Sequence, residues 1–283
     1  MTRTNHRERF NGSEFCSFPK QKTGRPNTKE HITNNLNRIF NIILDPRDAL
    51  VMRLDSPYKS LADLPDGSVV GTSSVRRSAQ LLRNYPKLQF KSVRGNINTR
   101  LAKLDKEDSE YTCLLLAAAG LNRVGLGSRI TKCLDKDEMY HAVGQGALGI
   151  EIRKGDMKMK KVCAKIECQE TTFKCYAERS LLRTLEGGCS VPVGCNTEYN
   201  TTTKLLTLDS IVLNPEGTES IELSHSKKVE CREDAIQLGH ELALKMIENG
   251  AKKILDQINF DKINEIKQAG LTTSGNSSQS STN

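Results

Sequence analysis

The chain has 283 residues, 36% of them hydrophobic and 27% charged, which is ordinary for a globular protein of two or three compact domains. No stretch approaches the roughly 18 apolar residues needed to cross a bilayer, and the charged start Met1 to Arg9 lacks the apolar core of a secretory signal, so a cytoplasmic protein without a membrane partner is expected; a monomer is expected as well. The net charge is +8, but residues 1–44 hold eight Lys/Arg against three Asp/Glu; the rest is nearly balanced, which argues against a nucleic-acid partner.

In chain order, residues 1–44 show little periodicity before Ile39 and are expected to form an atypical, disordered leader. Ser68 to Gly71 then reads as a short strand, followed by Thr72-Ser73-Ser74, a serine N-cap and the helical VRRSAQLLRNY. The unit repeats with strand Leu88 to Val93, a break at Arg94-Gly95-Asn96 and the helical INTRLAKLDK. Cys113 to Ala118 is a continuous apolar run, as in a strand buried on both faces, and leads into Gly120-Leu121-Asn122-Arg123. Alternating strands and helices predict an α/β fold with a mainly parallel sheet.

The run Gly144 to Gly149 looks like a dinucleotide fingerprint but precedes its strand, so it reads as a tight helix-to-strand packing element. After about residue 160 the helix CYAERSLLRTLEGG, the strands KLLTLDSIVL and SIELSHSKKVE around the turn NPEGTE, and the helix EDAIQLGHELALKMIENG predict a small C-terminal α+β domain. The end from Gly270 is low-complexity and expected to be disordered.

Ligands of an open parallel sheet gather outside the carboxyl ends of its strands, where helix N-termini point their unpaired amides. Each of the three strand-to-helix turns carries arginine there: Arg76 and Arg77, then Arg94 and Arg100, then Arg123. Singly, such residues are usually solvated surface groups; their recurrence points to a polyanionic ligand, carboxylate before phosphate, because no Walker loop is present. The nine cysteines are scattered, form no CxxC pair and read as free thiols, and the five histidines are far apart in sequence, so no metal is expected. Cys189 follows Gly187 and Gly188. A lone cysteine is usually a small buried hydrophobe, yet the glycines and Pro192 favour an exposed loop thiol. At a helix C-terminus it would not be a strongly activated nucleophile.

Together GTSSVRRSAQLLRNYP, VRGNINTRLAKLD, LAAAGLNRVG, YHAVGQGALGIEIR and AERSLLRTLEGGCSVPVG, from about Asp45 to Asn259, resemble the porphobilinogen deaminase (hydroxymethylbilane synthase) family. The resemblance implies a covalent dipyrromethane cofactor in thioether linkage to Cys189 and stepwise condensation of four porphobilinogen units, with loss of ammonia, toward haem. It implies that cofactor and substrate carboxylates are bound by Ser73, Arg76, Arg77, Arg83, Arg94, Arg100 and Arg123, with Thr72, Ser74, Gly95 and Gly146 contributing. It also implies a domain plan: 45–126 a lobe like that of a type II periplasmic binding protein, 127–158 a return segment belonging to a remnant first lobe, 159–266 the C-terminal domain and 267–283 a tail.

Residues 1–44 resemble none of the family's first lobe. The HS-x-K-D-x-P segment with the family's catalytic aspartate has no counterpart, so no catalytic residue is identified and low activity is expected, with a non-catalytic binder of polycarboxylate pyrroles as the alternative. Asp63 in LADLP mimics that segment but sits in the place of a non-catalytic turn. The run VGQGALGIEI would expose an apolar strand edge unless the N-terminal tail or a partner covers it.

Overall fold

The computed structural model describes residues 36–153, 155–185 and 191–258. Its first strand, β1 (Leu36–Ile43), pairs antiparallel with β7 (Ala147–Arg153), Phe40 opposite Gly149, with an irregularity between Phe40 and Ile43. The expected disordered leader therefore gives way to a strand at Leu36. Phe40 is buried edge-on against Tyr176, at 5.8 Å between ring centroids, and in this two-stranded ribbon the backbone ladder covers one edge of the strand within VGQGALGIEI. Gly144 to Gly146 form a turn rather than the end of a helix, with Gln145 N–H donating to Ala142 O.

The central sheet has five strands in the spatial order β4 (Gln89–Lys91), β3 (Val69–Gly71), β5 (Cys113–Ala117), β2 (Asp48–Met52) and β6 (Lys132–Leu134). β3 runs parallel to β4 and β5; β2 is antiparallel to both its neighbours, so four of the five strands share one direction. Strict alternation along the central strands divides two cores. Ala49, Val51, Leu114 and Leu116 face α2 (Ile97–Leu104) and α3 (Ala118–Arg123), while Leu50, Met52, Cys113 and Leu115 face α1 (Val75–Asn84) through Leu81. A sheet buried on both faces explains why DALVM and CLLLA are continuous apolar runs behind one acid.

Helix α4 (Met157–Cys163) follows β7, and α5 (Gln169–Thr184) opens the second unit. There β8 (Val193–Asn200), β9 (Leu205–Leu213) and β10 (Ser220–Lys228) form an antiparallel sheet in the order β10-β9-β8. α5 and α6 (Arg232–Glu248) pack on it through Phe173, Leu181, Leu208, Leu238 and Leu242, and α7 (Ala251–Asp256) is the last described helix. β8 was not expected: Pro192 lies just before it, and the ladder begins one residue later, where every position has an N–H to give. The two units meet where Ala79 of α1 packs on Ile211 and Leu213 of β9 beside Tyr140.

Candidate functional site: a cationic cradle at the strand ends

β3 and β4 end side by side, and the loops that follow are tied together by one hydroxyl. Ser73 Oγ lies 2.8 Å from Ser92 Oγ and donates to Val93 O at 2.9 Å. Thr72 Oγ1 accepts from Ser74 N–H at 3.2 Å. Ser74 occupies the N-cap position of α1, but its side chain makes no capping bond and no acid lies in the first turn, so the positive end of this helix dipole has no anionic side chain of its own. α2 is different, since Asn96 caps it by accepting from Thr99 N–H at 2.8 Å.

The arginines divide into distinct sets. Arg76 and Arg77 are buried and share Asp48, the fully buried first residue of β2. Arg76 Nη1 donates to Asp48 Oδ2 at 2.7 Å and to Tyr140 O at 2.5 Å; Arg77 donates Nε and Nη2 to Oδ1 at 2.9 and 2.7 Å, and Nη1 to Leu115 O at 2.8 Å. Gln145 Nε2 adds a bond to Asp48 Oδ1 at 3.0 Å. Burial opposes ionisation of Asp48, but the charges and hydrogen bonds of both arginines outweigh it and hold the carboxyl well below its usual range. Burial also pulls Arg77 below the usual guanidinium value, against the pull of Asp48.

Behind β4 the balance is reversed. Arg100 donates Nε to Gly95 O at 2.8 Å. Its pKa is pulled down first by burial and then by the like charges of Arg77 and Arg94. Arg94 Nε is buried without a hydrogen-bond partner among the described residues. A buried N–H of a cation left unmet costs about 1–3 kcal/mol or more, and an incoming carboxylate would satisfy it. Gly95 turns the chain between these two arginines at φ +116°, where a Cβ would also strike Thr99 at 2.8 Å.

The remaining expected site residues lie apart. Arg83 is nine positions beyond Ser74, about 13 Å along α1, where it pairs with Glu222 at 2.8 Å. Arg123 is exposed at the last position of α3. Gly146 belongs to a packing contact: its O accepts from Leu44 N–H at 3.0 Å, and at φ +79° a Cβ would lie 2.1 Å from Leu44 O. Asp63 is spent on a turn, accepting from Lys59 and Ser60 N–H at 3.0 and 2.8 Å. Cys189 lies outside the described residues, as do residues 1–35 and the tail from 259. Its flanks are placed, however. Leu185 and Val191, the described residues on either side of it, belong to the C-terminal core against which Val75, the first residue of α1, packs. The seven described cysteines are all unpaired.

Sequence reasoning missed Asp48, Gln145, Gln80 and Tyr140. Gln80 clamps Tyr140 by accepting its N–H at 2.8 Å and donating to its O at 3.0 Å. The one available signal was Asp48 itself, an acid opening a strand otherwise wholly apolar, which requires a cationic partner.

Residues 37–161 match the family model described as porphobilinogen deaminase, dipyromethane cofactor binding domain, and residues 172–248 match the model of the porphobilinogen deaminase C-terminal domain. The chain is 62% identical over 221 residues to a porphobilinogen deaminase of Kluyveromyces lactis and 59% identical over 221 residues to that of Saccharomyces cerevisiae, in each case 78% of this chain and 68% of the relative. Against the Candida albicans protein of the same name it is 58% identical over 218 residues, 77% of this chain and 64% of the relative. The chain thus spans about two thirds of the length of these relatives.

Proposed function

The chain belongs to the porphobilinogen deaminase family, and from that premise we propose that the cradle at the ends of β3 and β4 holds the carboxylates of a dipyrromethane joined to Cys189 by a thioether. The observation that carries this reading is Arg94 Nε, buried and unmet among the described residues, in a loop that leads to Arg100, whose charge those of Arg77 and Arg94 disfavour. Porphobilinogen carries an acetate and a propionate, so each added pyrrole brings two carboxylates, and a like-charged guanidinium cluster gains most when such groups arrive. When bound, the dipyrromethane supplies the primer on which porphobilinogen units are condensed with release of ammonia, in haem biosynthesis.

Within this reading the residues take separate tasks. Arg94 and Arg100 meet carboxylates directly, and the amides at the start of α1, from Thr72 to Ser74, add donors. Arg77 has used three of its five N–H groups on Asp48 and Leu115, which leaves donors for ligand. Arg76 and Arg83, committed to Asp48, Tyr140 and Glu222, serve to position α1. Residues 45–126 are read as a type II periplasmic-binding-protein lobe and 159–266 as the domain bearing the thiol. Two segments, 36–43 and 127–158, are assigned to a first lobe. No described helix is long and apolar enough to cross a membrane.

An assay of porphobilinogen consumption by the purified chain tests the activity. Low turnover is expected of the unaltered chain, lost in Cys189→Ser and reduced in Arg100→Ala. Turnover that is indifferent to both changes would remove the reading.

A further inference from the structure

Beneath the turn that presents Gln145 to Asp48, three side chains far apart in sequence come together. A ring nitrogen of His141, a carboxylate oxygen of Glu178 on α5 and the sulfur of Cys195 on β8 all lie within 4.8 Å of one another, and all three residues are buried. Their placement is held from the backbone outward. Cys195 N–H donates to His141 O at 2.9 Å in an isolated antiparallel bridge. Glu178 Oε2 accepts from Gly144 N–H at 2.7 Å, and Oε1 accepts from the Thr197 hydroxyl. His141 Nδ1 lies 3.9 Å from Cys195 Sγ and 3.0 Å from Ala142 O.

Two further observations bear on what this cluster can hold. Among the described residues the donors to Glu178 are neutral groups, the Gly144 N–H, the Thr197 hydroxyl and the Cys195 thiol, although the residue is only 1% exposed; a buried carboxylate met by neutral donors alone gains from a cation. A cavity of about 380 Å³, lined by Asp45, His141, Glu170, Lys174 and Thr197 among others, touches the cluster at His141. It gives an ion a way in and a place for water. One nitrogen, one carboxylate oxygen and one sulfur, with a fourth position left to solvent, is a ligand set suited to tetrahedral zinc and ill suited to magnesium or calcium.

We propose that His141, Glu178 and Cys195 form a binding site for a divalent transition-metal ion of the zinc class, completed by a water from the adjoining cavity. Binding releases the thiol proton of Cys195, so that thiolate and carboxylate together neutralise the ion. The site pins α5 and β8 to the 141–146 segment, whose Gln145 supports Asp48. It is separate from the arginine cradle, and its test does not depend on porphobilinogen chemistry.

The test titrates Co2+ into the reduced full-length chain and follows the near-ultraviolet thiolate-to-cobalt charge-transfer band, with Zn2+ as competitor. One equivalent of Co2+ should bind, Zn2+ should displace it, and Zn2+ should raise the melting temperature. In Cys195→Ser the band should vanish and affinity fall at least tenfold, while Cys231→Ser, which removes an exposed thiol, should behave as wild type. Should Cys195→Ser fail to fold by circular dichroism, His141→Ala serves in its place and should bind Co2+ at least tenfold more weakly. No charge-transfer band with Co2+ in excess, or a band that survives in Cys195→Ser or binds undiminished in His141→Ala, overturns the proposal.

Discussion

Behind β3, Arg76 and Arg77 are 5% and 9% exposed and share a carboxylate that is wholly buried; behind β4, Arg94 and Arg100 have no acid among their hydrogen-bond partners in the described residues, and the charge of Arg94 disfavours that of Arg100. Both sets arise from the same device, arginine placed just after a sheet strand. The difference comes from Asp48, which enters from β2 on the far side of β5 and was not part of either turn. The comparison teaches that a cation near a strand end is fixed by the fold where the fold supplies its counterion and left to a ligand where it does not, with Arg77, paired to Asp48 yet keeping two N–H groups unspent, between the two.

The sharpest way to break the comparison is to remove that counterion. Asp48→Ala leaves two guanidinium groups buried without an acid and should cost about 3–5 kcal/mol of stability, read as a shift of the urea midpoint; a loss under 1 kcal/mol would erase the distinction between the sets. Acid should act in the same direction. Because the folded state holds the Asp48 carboxyl well below its ordinary value, the ion triad contributes fully above the unfolded-state pKa of about 4 and its contribution is lost as pH falls toward the folded value. Stability of the wild type should therefore decline below about pH 4 more steeply than that of Asp48→Asn, measured by denaturation across pH.

On the β4 side the expected effect moves from stability to binding. Arg100→Ala should weaken acquisition of the polycarboxylate cofactor by the worth of one charge-assisted bond, about 1.5–3 kcal/mol, while the urea midpoint stays nearly fixed. Equal losses of stability and binding would place Arg100 with Arg77. The smallest effect belongs to Arg83→Ala, which breaks a half-exposed pair with Glu222 and should cost no more than about 1 kcal/mol; a larger loss would show that the junction between the two units depends on it.

Much of the fold was legible because period and punctuation agree. The apolar run at Cys113 marked a two-sided strand, and the helices after Ser74 and Asn96 begin where short polar residues interrupt apolar strands. What stayed hidden depended on distant partners. β1 takes shape against β7, more than a hundred residues away in sequence, and β8 was masked by Pro192, which stops just short of the ladder. Arg76 and Arg94 could not be separated without seeing Asp48 beside one and, among the described residues, no acid bonded to the other. The clustering of His141, Glu178 and Cys195 likewise has no trace in their spacing, since it depends on β8 and on a backbone bridge between residues 141 and 195.

The most direct measurement of the central claim is the intact mass of the chain after incubation with porphobilinogen. The account predicts one covalent dipyrromethane per chain, absent in Cys189→Ser and reduced in Arg100→Ala. An unmodified mass for the wild type, or an adduct that persists without the Cys189 thiol, would contradict it.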